Sequence, residues 1–416
     1  MQTQPIRMVS IILFSITILY VCLSCFYQVS PTSTVGYFHT AMGLSAKSVA
    51  YISALYFISY ALMQIPNGIL IDRFGIPYVL PIGIFITLIG SILYWLTPNP
   101  EVFAISRIII GLGASVAYIS AIYIGITLFP ITLLPMLIGL AEAFSTLGYI
   151  LATNTYQDSI DRFGWNTTSI NLIIINIILL ILVIILVKMQ YGNSSNSDEE
   201  HSHKNIRNTL LVGLRLFKNR TFTAIIIYTF FTWMQIMAFA GYWGKQYFQT
   251  MHEYSEAKSL SLMAVFWGGY LLVSLLIGPI AKQYGRKKPL LLLLSAIALI
   301  TSIIMSIPIL FSYLTLIIIS AVLGASISGI ILSFAMIADI APHSLKGSAI
   351  ATNNTVLILG GLIGQYLFGL LTQNGELASI LPSEINAYDY IALLMLPACA
   401  AFAFISILIG TKNYHD

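Results

Sequence analysis

The chain has 416 residues, 58% of them apolar and 8% charged, with a mean hydropathy of +0.89. A soluble domain carries about 25% charged residues, so this composition excludes a cytoplasmic enzyme, a nucleic-acid-binding module and a disordered chain. Three cysteines provide no disulfide framework, and the formal charge of +4 is distributed as membrane topology requires. The sequence is that of an integral membrane protein.

A membrane-crossing helix needs about 20 mostly apolar residues. Twelve such spans are predicted, at 8–29, 48–70, 78–97, 102–127, 132–155, 168–189, 221–243, 258–280, 289–310, 313–338, 346–372 and 387–410. Their continuous Ile- and Leu-rich runs lack the alternation of a transmembrane barrel. The fold class is therefore all-α.

Span 1 has no A-x-A-like cleavage site and reads as a retained helix. It carries Tyr20, Tyr27 and Gln28. Its Cys22-Leu23-Ser24-Cys25 stretch has redox-motif spacing, but small buried residues are the plainer account in an apolar helix. Span 2 ends in Gly68-Ile69-Leu70-Ile71-Asp72-Arg73-Phe74-Gly75. Gly68 allows close helix contact, and Gly75 suits a tight turn. Asp72 is suited to accept backbone N–H groups at a helix N-terminus, where negative charge is favoured. The alternative is a solvated turn.

Ionisable groups inside spans are functional candidates by default. Arg107, in span 4, lies about 9 Å along the axis from Glu101, within snorkelling reach of the outer interface. Glu142, in span 5, lies roughly 15 Å from Thr132 and cannot snorkel. It is the candidate protonation site, either coupled to transport through intermittent contact with Arg107 or permanently neutral and bonded to a Tyr or Ser. Tyr118 in span 4, Tyr149 in span 5, Trp233 and Gln235 in span 7, and Asn353, Asn354 and Gln365 in span 11 are candidates to line a cavity with the polar groups of span 1. For any single one, helix-to-helix hydrogen bonding is the alternative.

The polar stretch 190–219 separates two sets of six spans, giving domains at 1–189 and 220–416. Its first half has a disordered composition. In its second half Ile206, Leu210, Leu214 and Phe217 share one helical face, as in a helix lying on a membrane surface. Most Lys and Arg, including Arg7, Arg73, Lys188, Arg286, Lys287, Lys288, Lys346 and Lys412, fall on one side of the predicted topology. The positive-inside rule then puts both termini in the cytoplasm. Trp95, Trp165 and Trp243 fall at predicted outer ends, as interfacial aromatics.

The halves resemble each other. Gly68, Asp72 and Gly75 recur as Gly278, Lys282 and Gly285 at an offset of 210, and Leu112-Gly113-Ala114-Ser115 recurs as Leu323-Gly324-Ala325-Ser326 at 211. The offset of 211 pairs Glu142 with Asn353. A duplicated six-helix unit with a midplane site is a transporter architecture.

The run Gly68–Gly75 resembles the G-x-L-x-D-R-x-G signature of the major facilitator superfamily, although Ile76 and Pro77 replace its basic tail. The second copy keeps that tail as Arg286-Lys287-Lys288 but has Lys282 for the aspartate. Arg107, Gly111, Gly113 and Ala114 match the family's R-x-x-x-G-x-G-A pattern. The resemblance implies a secondary transporter working by alternating access, with spans 1, 4, 5, 7, 10 and 11 as cavity walls. It makes Gly68, Asp72, Arg73, Gly75, Gly278, Gly285 and Arg286 a conformational latch, in which only the first copy carries the acidic charge.

The run Gly241-Tyr242-Trp243-Gly244-Lys245-Gln246-Tyr247 closing span 7 looks like bacterial nutrient permeases of that family. Spans 1 and 7 lack the arginines with which the organophosphate branch grips phosphate. Residues 139–148 lack the proline and paired glycines of drug/proton antiporters. The expectation is proton-coupled uptake of an amino acid, small peptide or nucleoside-like solute by a monomer in the bacterial inner membrane. The alternatives are proton-driven export of a siderophore, drug or metabolite, or a non-transporting sensor on the same fold. No ATP-binding loop or hydrolase motif occurs. His201 and His203 lack companion ligands, so neither an enzyme, a metal nor a cofactor is expected.

Overall fold

The computed structural model describes residues 7–96, 99–192, 216–240, 244–307, 309–373 and 387–411. The surface helix expected around 206–217 lies almost wholly outside these residues, and Trp243 lies outside them too. Every regular element among the described residues is helical. In chain order they are α1 (Met8–Ser33), α2 (Val35–Met42), α3 (Ala46–Phe74), α4 (Ile76–Trp95), α5 (Pro100–Ala114), α6 (Ala117–Leu128), α7 (Leu134–Asn154) and α8 (Tyr156–Tyr191). These are followed by α9 (Arg220–Ala238), α10 (Gly244–Met251), α11 (Glu256–Tyr284), α12 (Lys287–Met305), α13 (Tyr313–Ser326), α14 (Gly329–Ile340), α15 (Lys346–Gln373) and α16 (Ala387–Gly410). Eleven helical stretches among the described residues are long and apolar enough to cross a membrane, and a shorter apolar stretch covers Leu394–Gly410. Large apolar side chains such as Leu62, Phe85, Ile181, Leu272 and Phe402 remain exposed along these helices. On a multi-pass membrane protein such surfaces face lipid.

The chain forms two compact units. One comprises residues 1–213 with 341–352, and the other 214–340 with 353–416. The internal repeat runs deeper than its motifs. Helices α3 and α11 are both 29 residues long and start 210 apart. Spans 4 and 10, predicted as continuous, are each broken by two residues, Ser115–Val116 and Ile327–Ser328. A short 3₁₀ turn precedes α7 (Ile131–Leu133) and α15 (His343–Leu345) alike, at an offset of 212.

The repeated Leu-Gly-Ala-Ser run has a local physical reason. At the first break the N–H of Val116 bonds to Gly113 O, which leaves the carbonyl of Leu112 without its helical donor. Ser115 Oγ donates to it at 2.5 Å. In the second unit Ile327 N–H bonds to Gly324 O, and Ser326 Oγ donates to Leu323 O at 2.6 Å. Freed carbonyls in apolar surroundings need donors, and both repeats supply the same serine.

Trp165 packs inside the first unit. It is buried, stacks on Tyr37 at 4.3 Å, and meets Tyr94 edge-on at 5.3 Å. Its indole N–H donates to Trp95 O, while Trp95 Nε1 donates to Asn166. The break at Gly164, with φ of 79°, turns the chain so that the indole points inward.

Helix packing in membranes depends on small residues at contacts, which gives a clean comparison on α11. A Cβ at Gly269 would stand 2.3 Å from Ala321 O, whereas one at Gly268 meets nothing within 4 Å. Gly269→Ala should lower stability by about 1–3 kcal/mol through overpacking. Gly268→Ala should be neutral or stabilising by up to about 1 kcal/mol through helix propensity. Thermal unfolding of the detergent-purified protein measures both.

Candidate functional site

The Gly68–Gly75 segment forms the last two turns of α3 and its C-cap. Gly75 has φ of 78°, a conformation that glycine adopts without strain, and turns the chain directly into α4. This fixes Asp72 in the last turn of α3, where it is buried. Asp72 Oδ1 accepts the N–H of Gly347 at 2.8 Å. Its Oδ2 accepts the N–H of Ser348 at 2.8 Å and the hydroxyl of Ser348 at 2.6 Å. The carboxylate thus caps the N-terminus of α15 with three charge-assisted hydrogen bonds, where both the unpaired N–H groups and the helix dipole favour an anion. Gly68 lies against the same turn, since a Cβ there would stand 2.5 Å from Ala351 Cβ and 2.7 Å from Gly347 O. Arg73 is turned over the ring of Phe74 at 5.0 Å and makes no contact with the carboxylate.

The second copy does different work. Gly278 is buried, but Lys282 is exposed and has no polar partner among the described residues. Gly285 caps α11 in the left-handed conformation, and Arg286 is exposed. The rest of the basic tail is used within this unit. Lys287 pairs with Asp339 at 2.5 Å, and Lys288 donates to Thr411 O at the end of α16 at 2.6 Å. The two copies have divided the signature, one keeping the acidic cap and the other the basic contacts.

Arg107 does not snorkel. It is fully buried, and its charge makes no ion pair among the described residues. Nη1 donates to Tyr27 O at 2.6 Å and Nη2 to Gln28 O at 3.2 Å, while Nε has no partner. The guanidinium lies over the Tyr56 ring at 4.9 Å, a contact worth about 2 kcal/mol when desolvated. The expected meeting of Arg107 with Glu142 is absent from this structure, because the guanidinium is engaged by backbone carbonyls of α1.

Glu142 is buried on α7 and accepts a hydrogen bond from the hydroxyl of Tyr118 on α6. Cys25 lies beside Glu142, Ser145 and Tyr149. Gly148 admits this close approach of α7 to α1, since a Cβ there would meet Cys22 O at 2.1 Å. Two turns along α7 from Glu142, Tyr149 donates to Gln28 Oε1 at 2.9 Å. Tyr118, Glu142, Tyr149 and Gln28 therefore form a line of polar groups along the seam of α1, α6 and α7.

Several of the other predicted cavity residues have packing partners, and the side chain of Gln365 lies outside those described. Tyr20 bonds Thr87 at 2.7 Å and Gly113 O at 2.9 Å, and Tyr27 accepts from Asn176 at 2.9 Å. In the second unit Gln235 donates to Ser302 at 2.5 Å, and Trp233 borders Gly361. Asn353 reaches Ser333 at 3.5 Å, and its Oδ1 is buried without a partner. Asn354 is buried as well. Because α7 and α15 start 212 apart, Glu142 corresponds to Asn354, and the pairing with Asn353 is out by one residue. Sequence reasoning also missed Gln64 and Asn67 on α3, which donate to Ser115 O at 3.2 Å and Ser115 Oγ at 2.6 Å.

The profile of the Major Facilitator Superfamily matches residues 11–365, and the chain belongs to that family of membrane transporters. The structure is similar to that of FucP, described as a Major Facilitator Superfamily transporter in the outward conformation. The TM-score is 0.69 at 15% identity, covering 96% of this chain and 99% of that one. A second structure of FucP, described as the fucose:proton symporter of E. coli, gives 0.68 at 16%, covering 95% and 99%. The proton:xylose symporter XylE bound to 6-bromo-6-deoxy-D-glucose gives 0.69 at 16%, covering 94% of each chain. No curated protein sequence matches the chain. The protein is a secondary transporter.

Asp72→Asn tests the cap. The amide has one accepting oxygen and no charge, so at least one buried donor at Gly347 or Ser348 loses its partner, at about 1–3 kcal/mol. Solute binding in detergent should be retained, while transport in proteoliposomes should fall several-fold. Wild-type transport by the Asn variant would remove Asp72 from the cycle.

Proposed function

We propose that this protein couples proton entry to uptake of a small neutral or zwitterionic polar solute, with Glu142 as the carboxylate that gains and loses the proton. The observation that carries the reading is the bond from Tyr118 to Glu142 in the middle of a membrane-crossing helix. An ionised carboxylate there costs several kcal/mol unless it is paired or hydrated. The guanidinium of Arg107 bonds backbone carbonyls, and protonation is a route by which the carboxyl becomes neutral. Asp72 supplies the second element, a cap on α15 that forms in one state of the cycle and opens in the other.

The substrate class is read from the polar groups of the first unit along the Glu142 line. Tyr118, Gln28 and Tyr149 offer hydroxyls and an amide, which suit an amino acid, a small peptide or a nucleoside. The sugars carried by FucP and XylE use the same chemistry and belong in the same binding screen. The two domains are assigned to 1–189 and 220–416, joined by a cytoplasmic linker, with both termini in the cytoplasm of a bacterial cell and a monomer in its inner membrane.

The test is Glu142→Gln, which fixes the protonated shape. Proteoliposomes carrying the variant should no longer accumulate solute under a proton gradient, yet should exchange it across the membrane at a pH-independent rate. Accumulation with normal pH dependence would make Glu142 structural. Efflux driven by an opposing proton gradient, lost in the same variant, would make the protein an exporter.

A further inference from the structure

Helix α1 contains Pro31, and proline has no N–H for the carbonyl four residues back. That carbonyl belongs to Tyr27, the group to which Arg107 Nη1 donates at 2.6 Å. Ser30 Oγ adds a longer bond to the same oxygen at 3.3 Å. The second guanidinium arm holds the next carbonyl, that of Gln28, at 3.2 Å. The side chain of Gln28 in turn receives the hydroxyl of Tyr149, two turns along α7 from Glu142. A fully buried cation with no carboxylate partner among the described residues thus sits where a proline has freed a backbone acceptor.

We propose that Arg107 is a positioning residue whose task is to clamp the carbonyl that Pro31 leaves without a helical donor in α1, holding Gln28 against Tyr149 at the end of the Glu142 line. The clamp replaces the missing backbone donor with a side-chain donor from α5. It is stronger than the bond it replaces, because the donor is charged. It can also be released as a unit, which an ordinary helical bond cannot. The inference rests on the reading of Glu142 for its consequence in transport, but its geometry stands apart from that reading.

The decisive experiment is a double-variant cycle in proteoliposomes and in detergent. Arg107→Met leaves Tyr27 O without its charged donor and should cut solute accumulation at least tenfold, lower thermal stability and alter the pH profile of exchange. Pro31→Ala restores an N–H beneath the same carbonyl. The double variant should therefore return to within about threefold of Pro31→Ala alone in accumulation, with its stability and pH profile restored. If Arg107→Met does not yield folded protein, recovery of monodisperse protein in the double variant is the same rescue. A double variant as impaired as Arg107→Met, or an Arg107→Met variant indistinguishable from wild type, overturns the clamp. If Glu142 is not the coupling group, rescue still appears in stability and exchange while accumulation ceases to track pH, so the two failures are distinct.

Discussion

In the apolar interior of a membrane protein, a backbone group released by a helix break must find a partner inside the molecule. Much of the buried polar chemistry in this transporter answers that constraint. Pro31 releases Tyr27 O, and Arg107 takes it. The breaks at Ser115 and Ile327 release Leu112 O and Leu323 O, and the repeated serines take them. The start of α15 presents Gly347 and Ser348, and Asp72 takes both. Side chains that read as functional because they are polar are, in these places, substitutes for missing backbone partners.

This constraint also separates Glu142 from the rest. Its carboxylate accepts from the side chain of Tyr118, and the proposed proton exchange rests on that contact. Asp72 caps a helix, yet the helix it caps is far along the chain, and the capped turn groups with residues 1–213 while the remainder of α15 belongs to the other unit.

Most of the architecture was legible in the sequence because apolar run length and small-residue spacing are local signals. The helical class, the family and the Gly68–Gly75 signature all came from such signals. What the sequence concealed depends on partners distant in the chain. Gln64 and Asn67 look like ordinary polar residues in a helix until Ser115 is seen beside them. Arg107 reads as an intermittent partner of Glu142 or a snorkelling cation, because its acceptors are backbone carbonyls 79 and 80 residues away. The burial of Trp165 is hidden in the same way, because nothing local announces the turn at Gly164. The misassigned partner of Glu142 has a smaller cause: the repeat offset grows from 210 to 212 between α3 and α7, and a single residue rotates a helix position by about 100°.

The central claim is that Glu142 changes protonation when solute binds. Infrared difference spectroscopy of the reconstituted protein, with and without the solute selected by the binding screen, observes a carboxylic acid directly through its C=O stretch. The account predicts a solute-dependent band in that region for the wild-type protein that disappears in Glu142→Gln and persists in Asp72→Asn. A band that survives in Glu142→Gln, or no carboxylic acid signal in the wild type, would contradict it.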